Sequence, residues 1–152
     1  MINFKTVIRI IGILLLLETV MLLACSAISY YYNDEALLDF WKSAGITAGA
    51  GLLMAIAGKG GEKQLTRRDG YVLVSLAWVA FSLFGMLPFY ISGYVPDITN
   101  AFFETMSGFT STGATVLDNI ESLPHGLLFW RGMTQWIGGL GIIMFTIAVL
   151  PI

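Results

Sequence analysis

The run "GFTSTGATVLD", residues 108–118, concentrates small, hydroxyl-bearing and glycine residues inside a chain that is otherwise built largely of hydrocarbon. The chemistry open to such a stretch is that of oxygen. A dehydrated alkali cation needs a ring of oxygen ligands, and an extended strand with its carbonyls turned inward supplies them at regular spacing. Gly113 permits backbone angles that a residue with a Cβ resists. Thr110, Ser111, Thr112 and Thr115 add hydroxyls that can hold the strand against its surroundings. Covalent catalysis would instead need paired residues within the spans, such as two acids or a serine with a histidine, and Glu18 alone does not supply them. His125, the single histidine, stands beside Pro124 without the companion ligands of a metal site. No catalytic residue and no covalently bound cofactor are expected.

The elements that must position this stretch are membrane helices. Of the 152 residues, 57% are hydrophobic and 12% charged, where a soluble domain carries roughly 25% charged residues. A span takes about 20 residues, so three or four passes nearly exhaust the chain and leave no room for a separate catalytic domain. A net charge of −2 gives no reason to expect nucleic-acid binding. Cys25, the lone cysteine, lies in an apolar run and reads as a small packing residue. Apolar runs at about 7–32, 43–58, 71–90 and 127–150 read as spans. The second is short unless residues 37–41 belong to it, and its closely spaced Ala and Gly read as a face for tight helix contact. Tyr30 to Tyr32 suit an interfacial belt.

Charge orients these spans. Lys5, Arg9, Lys59, Lys63, Arg67 and Arg68 gather on one side, whereas Asp34, Glu35, Asp39, Asp97, Asp118 and Glu121 gather on the other. By the positive-inside rule the N-terminus and the 59–69 loop are expected to be cytoplasmic. The segment 91–126 then has both ends outside, yet it is too apolar for a solvated loop. Within it, "PDITNAFFETMSGF" predicts a short helix over 98–109, capped by Asp97 or Asn100 and closed by Gly108. Twelve residues rise about 18 Å, roughly half of a 30 Å hydrocarbon core. The chain must then climb back out, and irregular backbone at that depth is tolerated only when buried in protein or lining water. The C-terminal end of this half-helix also points its negative dipole end into the membrane, which favours a cation.

The order span, pore helix, "FTSTGATVL", span, with the last span carrying "FWRGMTQWIGGLGIIMF" and two extra helices ahead, resembles the TrkH-type membrane subunits of the Trk/Ktr/HKT superfamily of potassium transporters. The resemblance covers essentially the whole chain. It implies an all-α membrane protein in three parts: two accessory helices in 1–58, a basic cytoplasmic loop at 59–69, and a first pore unit at 70–152. That unit comprises a span at 71–90, a pore helix at 98–109, a filter strand at 110–115 and a span at 127–150. Carried over by position, Thr110, Ser111, Thr112, Gly113, Ala114 and Thr115 would form one filter strand, with potassium held at Thr112 and Gly113. In that family four such units within one polypeptide surround the pore, so three further units or identical copies are expected as partners. The resemblance also implies a homodimer of complete subunits, a cytosolic nucleotide-binding regulatory subunit of the TrkA type, and a multi-pass place in the bacterial inner membrane. The implied function is potassium uptake. A sodium-permeable relative and an assembly subunit without conduction are the alternatives.

Four other features have quieter readings. Glu18, mid-span, is expected to be a neutral or hydrogen-bonded packing residue. Gly138, Gly139 and Gly141 could hinge the last span or simply let helices pack closely. Arg131 is expected to anchor at the interface by pairing with Asp118 or Glu121. "GKGGEK", residues 58–63, lacks the spacing of a phosphate loop and reads as a turn.

Overall fold

The computed structural model describes residues 3–61 and 66–149, so Lys63 of the basic loop and Leu150 of the last span lie outside the described residues. The fold is all-α. Helices α1 (Phe4–Tyr31), α2 (Leu37–Ala57), α3 (Arg67–Gly85), α4 (Leu87–Ile91), α5 (Ile98–Phe109) and α6 (His125–Val149) follow one another in the chain, with a single 3-10 turn at Ile120–Ser122. Among the described residues, Phe4–Tyr31, Leu37–Ala57 and Arg68–Ile91 are long and apolar enough to cross a membrane. Helix α2 does include residues 37–41, which gives it 21 residues, enough to cross.

The third span is not one continuous helix. It breaks at Met86, between α3 and α4. Pro88 explains the break, because its ring nitrogen has no hydrogen to give and its ring crowds the carbonyl four residues back. The carbonyl left open at the buried end of α3 is satisfied from another helix: the Trp130 indole of α6 donates to the Gly85 carbonyl at 2.8 Å.

Two ends of the bundle are tied separately. At one end, the Asp69 carboxylate closes a capping box at the start of α3, accepting from the Thr66 N–H and hydroxyl at 2.8 Å each. Its other oxygen accepts from the Asn3 N–H at 2.9 Å and so fastens α1 to α3. At the opposite end, Asp34 in the α1–α2 turn accepts from the Gly126 N–H at 3.0 Å in the first turn of α6. His125 lies 3.3 Å from the same carboxylate and stacks on Tyr32. The basic residues Lys5, Arg9, Lys59 and Arg68 therefore sit at one end, and the Asp34 cluster at the other.

Helices α1 and α2 approach through small residues. The buried residues of α2 are Phe40, Ser43, Ala44, Thr47 and Gly51, one stripe at helical spacing. Gly45 and Gly49 have nothing within 4 Å of an added Cβ, so only part of the small-residue run makes the contact. A Cβ at Gly12 would come within 2.7 Å of the Gly51 carbonyl. Lipid tails are as apolar as leucine, so helices in a membrane gain little from hydrophobic burial and depend on such close approach. Replacing Gly12 by Leu should therefore part α1 from α2 and cost about 2 kcal/mol or more, whereas Gly49→Leu should leave the melting temperature unchanged. Thermal unfolding of the two purified variants in detergent checks this; equal stability would remove the close-contact argument.

Candidate functional site

Helix α5 starts at the Asp34 end of the bundle and stops at mid-depth. Asp97 caps it, its carboxylate accepting from the Asn100 N–H at 2.9 Å. Such a cap contributes about 1 kcal/mol. The helix runs through Gly108 to Phe109. There it leans on α3, where Phe109 stacks on Phe81 at 5.3 Å between ring centres. It also leans on α6. The Phe109 carbonyl lies against Gly138, and Gly108 lies against Thr134, each too close to admit a Cβ. Gly138 is thirteen residues into α6, about 20 Å from its start.

After Phe109 the chain turns and runs back along α5. Ser111 adopts a positive φ of 54° and Gly113 one of 75°. Gly takes this conformation freely, whereas other residues resist it. The N–H groups of Thr112 and Gly113 donate to the Ser107 carbonyl at 2.9 and 3.4 Å, closing the end of α5. The Ser107 hydroxyl donates to the Ala114 carbonyl at 2.6 Å. One turn further back, the Glu104 carboxylate accepts from the Thr115 hydroxyl at 2.9 Å and the Val116 N–H at 3.0 Å. As the returning chain advances from 112 to 116, its partners on α5 retreat from 107 to 104, so the two run antiparallel. Ser111 adds a tie to α6 by donating to the Gln135 carbonyl at 3.2 Å.

Glu104 is the centre of this arrangement. It is 3% exposed, and its second oxygen accepts from Arg131 Nε of α6 at 2.7 Å. The expected pairing of Arg131 with Asp118 or Glu121 is thus replaced by a pair with Glu104, whose side chain is 1% exposed. A detectable signal existed: an acid on an otherwise apolar half-helix must find a cation when buried, and Arg131 is the cation at the outer end of α6.

The residues singled out from sequence divide as follows. Thr110, Ser111, Thr112, Gly113, Ala114 and Thr115 form one exposed stretch. Among the described residues, the carbonyl oxygens of Thr110, Ser111, Thr112 and Gly113 accept no hydrogen bond, whereas that of Ala114 is held by Ser107. The hydroxyls of Thr110 and Thr112 lie 2.8 Å apart. Gly141 lies under the Trp78 ring, where a Cβ would meet the indole at 2.9 Å, and Gly139 approaches Ser111. Glu18 lies elsewhere, in the middle of α1. It is buried with a carboxyl oxygen beside Gly85, and neither of its carboxyl oxygens has a hydrogen-bond partner among the described residues. Of the two roles expected for it, neutral packing or hydrogen-bonded packing, the second is not what the structure provides.

Comparison with known proteins gives a consistent result. The family model described as TrkH, cation transport protein, matches residues 40–152. The chain is 37% identical over 150 residues to the Trk system potassium uptake protein TrkH of Halomonas elongata, covering 98% of this chain and 31% of that protein. It is 37% identical over 152 residues to the Escherichia coli K12 protein of the same name, covering 99% of this chain and 31% of that one. The crystal structure of the potassium transporter TrkH from Vibrio parahaemolyticus matches with a TM-score of 0.91 at 37% identity, over 99% of this chain and 32% of that chain. The chain therefore spans about a third of the length of the relatives it matches.

Breaking one partner of a buried ion pair strands the other charge, at a cost of about 3–5 kcal/mol. Arg131→Met should accordingly destabilise strongly. Adding Glu104→Gln should recover much of the loss, because the amide carries no charge and can still accept from Thr115 and Val116. The check is a double-mutant cycle from thermal unfolding in detergent; additive losses would show that the two residues act separately.

Proposed function

The chain belongs to the TrkH family of cation transport proteins, and on that premise we propose that it supplies one strand of a carbonyl-lined filter through which potassium is taken up across the cell membrane. The observation that carries this reading is the run of unpartnered carbonyls from Thr110 to Gly113, whose N–H groups donate to Met106, Gly108 and Ser107, on a stretch tied further by Ser107, Glu104 and Gln135. Held oxygens can replace a cation's hydration shell without first being ordered. Thr110, Ser111, Thr112, Gly113 and Thr115 form the strand, and potassium is bound at Thr112 and Gly113. Ala114, with its carbonyl turned to Ser107, acts as the clip to α5. Permeation makes and breaks no covalent bond, and no covalent cofactor is needed.

One strand gives only part of the coordination, so the remaining oxygens come from further units of the intact protein or from identical copies. Complete subunits pair as homodimers, and a cytosolic nucleotide-binding subunit of the TrkA type sets the gate. Gly138, Gly139 and Gly141 serve as the hinge. Gly138 touches the Phe109 carbonyl, so a bend there shifts the end of α5 and with it the strand. The chain lies in the bacterial inner membrane with its N-terminus in the cytoplasm, the orientation that puts Lys5, Arg9, Lys59 and Arg68 inside. In that frame 1–58 is the accessory pair, 59–69 the cytoplasmic loop and 70–152 the first pore unit.

In the intact protein, Gly113→Asp should lower potassium uptake by at least about ten-fold, because a side chain is strained at this positive φ and its charge enters the carbonyl ring. Rescue of an uptake-deficient strain at low external potassium, scored at equal protein abundance, measures this. Normal rescue would leave an assembly role without conduction as the better reading, and rescue with sodium flux equal to potassium flux would point to a sodium-permeable relative. Orientation is tested separately. Single cysteines at Lys59 and Glu121, in a Cys25→Ala background, should label oppositely on intact cells with an impermeant thiol reagent, position 121 reacting and position 59 not.

A further inference from the structure

The basic end of the bundle brings together charges that no carboxylate neutralises among the described residues. Lys5 and Arg9 are one turn apart on α1, and both are exposed. The end of α2 sits directly on them, since a Cβ at Gly58 would lie 2.5 Å from both the Lys5 carbonyl and the Arg9 Cβ, and Lys59 follows at once. The bond from the Asn3 N–H to Asp69 brings the first turn of α3, and thus Arg68, beside the start of α1. Lys59 and Arg68 are exposed as well. Among the described residues none of these four makes an ion pair: the pairs are Lys42–Asp39, His125–Asp34 and Arg131–Glu104. Asp69, the acid at this end, is buried with both oxygens occupied by Asn3 and Thr66. Glu62 and Lys63 lie outside the described residues and would add one charge of each sign.

The same end is flanked by exposed hydrocarbon. Phe4, Ile8, Leu53 and Ile56 all lie on the surface, Leu53 at 70% exposure. Leu53 and Ile56 on α2 lie deeper than Lys59, and Ile8 lies deeper than Lys5 on α1, so charge gives way to hydrocarbon as it does along an amphiphile. A free anion would use only the charges, and a protein partner would have no use for apolar side chains that continue into the spans of α1 and α2. We infer that Lys5, Arg9, Lys59 and Arg68 form a binding site for the phosphate-bearing headgroup of an anionic phospholipid, whose acyl chains lie along Ile8, Leu53 and Ile56. Long basic side chains reach such a headgroup while their stems stay against hydrocarbon. Clustered basic residues at a membrane surface attract anionic lipid in this way. The site stands on this geometry alone and does not depend on permeation.

The test is native mass spectrometry of the intact protein, purified in detergent and titrated with phosphatidylglycerol or with phosphatidylcholine of identical chains. The wild type should retain phosphatidylglycerol in preference, and high salt should erase the preference by screening. The combined variant Lys5→Gln, Arg9→Gln, Lys59→Gln, Arg68→Gln should lose at least about ten-fold in phosphatidylglycerol retention and keep its weak phosphatidylcholine binding. Lys42→Gln, at the other end, should change nothing. Equal retention of the two lipids by the wild type overturns the inference, as does a preference that survives the combined variant. Displacement by inorganic phosphate alone, or binding that requires an acidic protein instead of lipid, overturns it equally. If the combined variant does not purify, the wild-type preference and its salt dependence decide the matter.

Discussion

A carboxylate that keeps its charge in a low-dielectric interior must be paired and hydrogen-bonded, and the geometry around Glu104 is organised by that demand. Its three donors come from the returning chain and from α6: the Thr115 hydroxyl, the Val116 N–H and the Arg131 guanidinium. Because Glu104 itself belongs to α5, a single side chain joins three segments that are otherwise separate in sequence. Sliding α5 along α6, or letting the returning chain slip by one residue, would strand a charge or a peptide N–H. The irregular stretch after α5 thereby acquires a defined register without any strand ladder.

Close packing of small residues does the rest. Gly108 against Thr134 and Gly138 against the Phe109 carbonyl bring α5 within backbone distance of α6. Aromatic rings fill the wider gaps, with Phe109 between Phe81 of α3 and Trp130 of α6. Trp130 combines both roles, since its ring packs while its N–H satisfies the Gly85 carbonyl left open by the break before Pro88. Polar demand and steric fit therefore coincide on the same few contacts at the foot of the half-helix.

Much of this was legible in the sequence, for reasons that are local. Apolar run length marks the helices, and Asp97 three residues before Asn100 marks the start of α5. Gly113 in a hydroxyl-rich run marks a positive φ. What was not legible depends on rotational phase between helices. Arg131 lies 27 residues from Glu104, and Asp118 and Glu121 are nearer in the chain. Only the facing of α5 and α6 selects the farther acid. The break at Met86 was available from Pro88, but a window averaged over the whole apolar run hides one residue. Which glycines of α2 touch α1 also depends on phase: Gly51 does, and Gly45 and Gly49 do not.

The exposed stretch from Thr110 to Val116 brings these constraints to a single consequence. Carbonyls that lack a partner cost several kcal/mol each, roughly, when placed against hydrocarbon, and four of them in succession could not be offset by the bonds around Glu104. The stretch must therefore meet water, ions or further polypeptide, never lipid. The N–H groups of Thr110 to Gly113 are already used at Met106, Gly108 and Ser107, so the backbone of these four residues offers acceptors alone. A run of backbone acceptors with no free N–H among them repels anions and other carbonyls, and it is stabilised by cations. The brace behind the strand and the chemistry in front of it are thus two sides of one arrangement, in which turning the N–H groups of Thr110 to Gly113 inward leaves their carbonyl oxygens facing out.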